Sequence, residues 1–227
     1  METNNVVQQS EVSTAPAVGT VKKKYSWLVA FAMVLVTFIV VFGAGIGIGY
    51  KFFWTSGLDV ARFQEQAQYY EKMVMENPND PQQRVNLGFT YYQLRQYDDA
   101  LKSYNAAIEI DPNFYPAYLN KGYLMVETKQ YDAALEAFQQ CVKLNPTDYR
   151  AHLNQGIAFY HLEMYDQAIG SISQAQILNE GAAEIHFWAG KVFEAMNDPA
   201  SAKKAYQNAI KYDASYQEAK EALAALE

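Results

Sequence analysis

Residues 81–114 read PQQRVNLGFTYYQLRQYDDALKSYNAAIEIDPNF, and residues 115–148 read YPAYLNKGYLMVETKQYDAALEAFQQCVKLNPTD. Laid one on the other, they place Gly88 on Gly122, Ala100 on Ala134, Tyr104 on Phe138 and Ala107 on Cys141. The columns continue through Gly156 and Gly190, Ala168 and Ala202, Ile172 and Tyr206, and Ala175 and Ala209, always 34 residues apart. Four columns sharing one such period mark stacked supersecondary units. Three of the columns hold small residues and the fourth holds bulky ones.

Tyr97-Asp98, Tyr131-Asp132 and Tyr165-Asp166 recur at one place in the first three units, in the manner of a helix start whose dipole favours an anion. The fourth unit instead has Asn197-Asp198-Pro199, which also starts helices. Asp111-Pro112-Asn113 and Asn145-Pro146-Thr147 punctuate the junctions between units.

These columns resemble the tetratricopeptide repeat (TPR) pattern, W-x2-L-G-x2-Y…A-x3-F…P at 34 residues per unit. The first unit keeps Leu87, Gly88, Tyr91, Ala100, Tyr104 and Pro112, and Pro146 closes the second. Glu180 and Ala214 replace the later prolines, and the tryptophan place holds Arg84, Tyr118, His152 and His186. The resemblance implies an all-α solenoid, a right-handed superhelix of helix–turn–helix units at 81–114, 115–148, 149–182 and 183–216.

It also implies that the first helix of each unit lines a concave groove. Positions three before, one after and four after each glycine fall at i, i+4 and i+7 and form one stripe. The stripe comprises Val85, Phe89 and Tyr92, then Leu119, Tyr123 and Val126, then Leu153, Ile157 and Tyr160, and finally Phe187, Lys191 and Glu194. Asn86, Asn120 and Asn154 stand beside it, and Trp188 takes that place in the last unit. In family members that bind extended peptides, asparagines here hydrogen-bond the ligand backbone. Members that grip a chaperone carboxyl terminus use several Lys and Arg, whereas this stripe has only Lys191 with Arg150 nearby, so that role is disfavoured. The expected groove is therefore Val85, Asn86, Phe89, Tyr92, Leu119, Asn120, Tyr123, Leu153, Asn154, Ile157, Tyr160 and Phe187, open to a protein or peptide. The competing reading is that part of the stripe packs internally.

Lys22, Lys23 and Lys24 precede an uncharged run of 26 residues, Tyr25 to Tyr50. As a helix it would be about 39 Å long, enough for a ~30 Å hydrocarbon core. It exceeds the ~7–15 apolar residues of a secretory signal, and Gly43-Ala44-Gly45 is a poor cleavage site. The expectation is a single uncleaved transmembrane helix over 25–50, with residues 1–24 a disordered cytoplasmic tail and the repeats outside the cytoplasm. Gly43, Gly45, Gly47 and Gly49 form two G-x-x-x-G pairs that would let helices pair in the membrane as a homo-oligomer, although glycine is common in such helices. Residues 51–80 read as a linker and partial repeat, since Tyr70 and Pro78 fall on the repeat columns, and 217–227 as a closing helix of the kind repeat arrays carry.

With Lys22, Lys23, Lys24, Glu2 and Glu11 set aside, residues 51–227 carry 15 basic against 23 acidic side chains, a balance of −8. That acidity argues against nucleic acid as partner. Cys141 is the single cysteine, so no intrachain disulfide is available, and its alanine-rich column reads as small and buried. No spacing matches a metal site, P-loop or nucleophile elbow. His152 and His186 share the tryptophan column and read as core or junction residues. The sequence points to a non-enzymatic, cofactor-free anchored scaffold, and its resemblance to anchored TPR proteins implies that it assembles or recruits an envelope complex, cytochrome c maturation being one such role. Rival readings are a self-assembling structural protein and a non-catalytic subunit of a membrane enzyme.

Overall fold

The computed structural model describes residues 55–226. The expected tail, the expected transmembrane helix over 25–50 and the four glycines from Gly43 to Gly49 lie outside them. Among the described residues every regular element is an α-helix, and none is long and apolar enough to cross a membrane. In chain order they are α1 (Thr55–Glu76), α2 (Pro81–Gln93), α3 (Tyr97–Ile110), α4 (Tyr115–Glu127), α5 (Tyr131–Leu144), α6 (Tyr149–His161), α7 (Tyr165–Leu178), α8 (Ala183–Ala195), α9 (Pro199–Tyr212) and α10 (Gln217–Ala225).

The helices pack in sequence, α2 on α3, α4 on α5, α6 on α7 and α8 on α9, with each pair stacked on the next. Within a pair, the glycine and bulky columns meet each other. A Cβ on Gly122 would lie 2.4 Å from the Phe138 ring, and one on Gly190 would lie 2.4 Å from the Tyr206 ring. Gly88 faces Tyr104 and Gly156 faces Ile172 in the same way. Tyr104, Phe138, Ile172 and Tyr206 are buried, as are all four residues of each alanine-rich column. Cys141 is among them, and burial pushes its thiol up to about 12.

The turns inside the pairs repeat as faithfully. Arg95, Lys129, Glu163 and Asn197 all take a left-handed backbone, φ 58–59°. The next amide donates to the carbonyl five residues back, Gln96 to Tyr91 and Gln130 to Met125 at 2.9 and 2.8 Å, and Met164 and Asp198 repeat the bond. Together with the bonds Arg95 to Tyr92 and Lys129 to Val126, this is the Schellman closure of a helix. The second helices α3, α5 and α7 begin at Gln96, Gln130 and Met164 with no side-chain cap, leaving Asp98, Asp132 and Asp166 to act through the dipole. Asp198 caps α9 fully, accepting from the Ser201 amide at 3.0 Å.

The tryptophan column does one job with three chemistries. Arg84 donates to the Pro78 carbonyl at 3.2 Å, Tyr118 to Pro112 at 3.2 Å, and His152 and His186 pair with the Pro146 and Glu180 carbonyls at 2.9 and 2.7 Å. Each bond ties a first helix to the junction six residues upstream. At the amino end, Tyr91 Oη donates to Glu71 at 2.6 Å and so fastens α1 to α2. Burial and the adjacent carboxylate raise the Tyr91 phenol to about 12.

Candidate functional site

Besides their own partners, first helices of neighbouring pairs touch each other, α2 with α4 and α6 with α8. Between α2 and α4 lies a cavity of about 280 Å³ lined by Phe89, Tyr92, Tyr104, Asn120, Tyr123, Val126 and Glu127. Phe89 and Tyr123 are 45% and 39% exposed, whereas Tyr104 is buried and forms the floor. Four expected groove residues, Phe89, Tyr92, Asn120 and Tyr123, are thus brought together on one surface.

Tyr123 is held from two sides. Its ring lies edge-on to Phe138 with centroids 5.8 Å apart, and its hydroxyl accepts from Asn154 Nδ2 at 3.0 Å. Asn154 therefore reaches across to the preceding unit, and its Nδ2 also donates to the Arg150 carbonyl. Asn120 Nδ2 donates to the Pro116 carbonyl at 2.7 Å, and Asn86 Oδ1 accepts from Gln82. The asparagine column is thus braced within or between first helices.

Three expected groove residues are corrected by the structure. Val85, Leu153 and Ile157 are 4%, 2% and 7% exposed and belong to the hydrophobic core. Val85 and Leu153, each three before its glycine, pack into its buried clusters. Ile157 shares its column with Phe89 and Tyr123, but its shorter side chain ends inside the packing where the rings project beyond it. Leu119 is half-buried against the first core cluster. Tyr160 and Phe187 join a second aromatic group. Tyr160 meets Trp188 and Tyr165 at 5.6 and 6.0 Å, while Phe187 meets Trp188, Tyr206 and Tyr216.

Glu127 was not among the expected residues. It follows Tyr123 at i+4, so helical spacing alone places the two together. The two cations near the stripe are engaged. Arg150 pairs with Asp148 at 2.9 Å and Lys191 with Glu194 at 3.5 Å. Among the described residues, no group of three or more His, Cys, Asp or Glu is placed to hold a metal.

Paired helices of nearly equal length, small residues at the crossings and contacts recurring every 34 residues make a repeat array. Family models described as tetratricopeptide repeat match residues 81–114, 119–183 and 183–216, together more than half of the chain. The chain belongs to the tetratricopeptide repeat family. Its described part is a TPR solenoid, and such arrays serve as protein-interaction scaffolds. No curated protein matches the chain significantly by sequence. Among solved structures, "MamA 41-end from Desulfovibrio magneticus RS-1" is similar at a TM-score of 0.64 and 22% identity, over 74% of this chain and 95% of that one. "Crystal structure of MamA" gives 0.62 and 22%, over 67% and 89%. A "thermophilic TPR protein in Thermus thermophilus" gives 0.61 and 20%, over 76% and 94%. At these identities the likeness is one of fold.

Proposed function

We propose that the chain is a non-catalytic, membrane-anchored TPR scaffold that holds a protein or peptide on the inner face of its first helices and so assembles or recruits an envelope complex. The observation that carries the docking part is the α2–α4 cavity, where Phe89 and Tyr123 leave large rings in solvent over the buried Tyr104. Exposed aromatic surface of this kind supports an interaction site. The anchoring part rests on the triple lysine ahead of the uncharged Tyr25–Tyr50 run.

Two experiments test the reading. A photo-crosslinking amino acid placed at Phe89 in cells should trap a partner, and one placed at Gln139, exposed on α5 and outside the cavity, should not. Equal trapping at both positions, or trapping only at Gln139, refutes the inner-face site. Protease added to intact spheroplasts should remove the repeats, and full protection until the membrane is broken would reverse the orientation.

A further inference from the structure

Resting on that docking surface, we propose that the α2–α4 cavity takes the cationic side chain, arginine or lysine, of an extended segment of a protein partner. Phe89, Tyr92 and Tyr123 form its aromatic walls and Tyr104 its floor, and Glu127 supplies a carboxylate in its lining. The faces of such rings attract a cation, more strongly when water is excluded. A guanidinium or ammonium leaving water then needs an anion, and Glu127 provides one. Tyr97 Oη donates to Glu127 Oε1 at 3.3 Å, which steadies the carboxylate and leaves its other oxygen open.

Charge around the cavity is complementary to such a guest. No Lys or Arg is among the lining residues. Burial and then Glu127 raise the Tyr92 phenol, against which Arg95, on the turn after α2, acts weakly from outside the walls. Burial raises Tyr123, with Glu184 adding to the rise, while the Asn154 bond and Arg150 oppose it. Arg150 is itself held by Asp148. A volume of about 280 Å³ sits at the lower end of small-ligand pockets (~300–1,000 Å³), which suits one side chain rather than a cofactor. The balance of −8 beyond residue 50 draws a basic segment toward the array. This occupant is the charge opposite of a peptide carboxylate.

The test uses the full chain and an array of short arginine- and lysine-containing peptides, each accompanied by copies in which one basic residue becomes norleucine or citrulline. Wild type should prefer the basic copy of its captured peptides by roughly tenfold. Glu127→Gln, which keeps the hydrogen bond from Tyr97, should reduce that preference about fivefold. Phe89→Leu, which keeps an apolar wall without a ring, should reduce it about threefold. Neither should change the melting temperature, and each should lose more affinity for the basic copy than for the norleucine copy. Peptide capture without a basic preference, or a preference unmoved in Glu127→Gln, overturns the inference and leaves the docking surface standing. Capture of no peptide at all overturns both.

Discussion

Gly122 and Phe138 show why two of the sequence columns run in step. The ring occupies the space a methyl group would need, 2.4 Å from an ideal Cβ, and it is fully buried. Alanine in a helix gains about 1 kcal/mol over glycine, but overpacking a rigid core costs about 1–3 kcal/mol. Gly122→Ala should therefore lose up to about 2 kcal/mol in urea unfolding. Gly170, also helical, has nothing within 4 Å of its Cβ, so Gly170→Ala should gain up to about 1 kcal/mol. Same-sign results would mean that propensity, not the ring contact, sets the column. The columns themselves were legible in the sequence because a repeat displays each contact four times. The residues lining the α2–α4 cavity were legible only in part. Phe89 and Tyr123 project because they are large, but the burial of Val85 and Leu153 depends on how far the neighbouring helix leans in, which no spacing encodes. Glu127 was within reach of the i+4 rule and lay outside a stripe chosen for apolar residues.

At the level of the element, the turns between paired helices are the feature the sequence hides. A left-handed closing residue is normally announced by Gly or Asn, and only Asn197 obeys; Arg95, Lys129 and Glu163 adopt the same backbone without that signal. The surrounding repeat contacts dictate the conformation. A non-glycine residue there costs about 1–2 kcal/mol, against about 0.5–1 kcal/mol of extra chain entropy for glycine. Lys129→Gly, at an exposed site, should thus raise stability by about 0.5–1 kcal/mol. An unchanged or lowered urea midpoint would show the turn to be unstrained. Helix starts are uneven in a similar way. Asp80, Asp148 and Asp198 cap with their side chains, while Phe114 and Ala182 open α4 and α8 with none. The family pattern does not specify caps, so those boundaries were the least readable.

Across the whole array, stability passes from unit to unit through bonds between side chains of different repeats. Asp148, the last residue of unit 115–148, is one such link, accepting from Tyr115 Oη of its own unit at 2.8 Å and from the Arg150 guanidinium and amide of the next at 2.9–3.0 Å. The Arg150 hydrogen bonds, and then that of Tyr115, hold its carboxyl below the ordinary aspartate range, against the burial that would raise it. Its contribution is therefore whole above the unfolded value of about 3.9 and is lost as pH falls through the lower folded value. Asp148→Asn should cost about 1–2 kcal/mol at neutral pH, and the gap to wild type should narrow below about pH 4. A gap constant down to pH ~2 would mean the charge plays no part. The proposed docking surface must also be separate from the core, and that division is most exposed to a paired measurement of melting and affinity. Phe89→Ala with Tyr123→Ala should weaken capture of the partner trapped at Phe89 by roughly 30-fold or more, with melting lowered only slightly. Tyr104→Ala, in the core column, should lose about 3–5 kcal/mol of stability. A double variant that unfolds as Tyr104→Ala does, or that stays folded and binds as wild type does, would contradict the division between inner-face site and core.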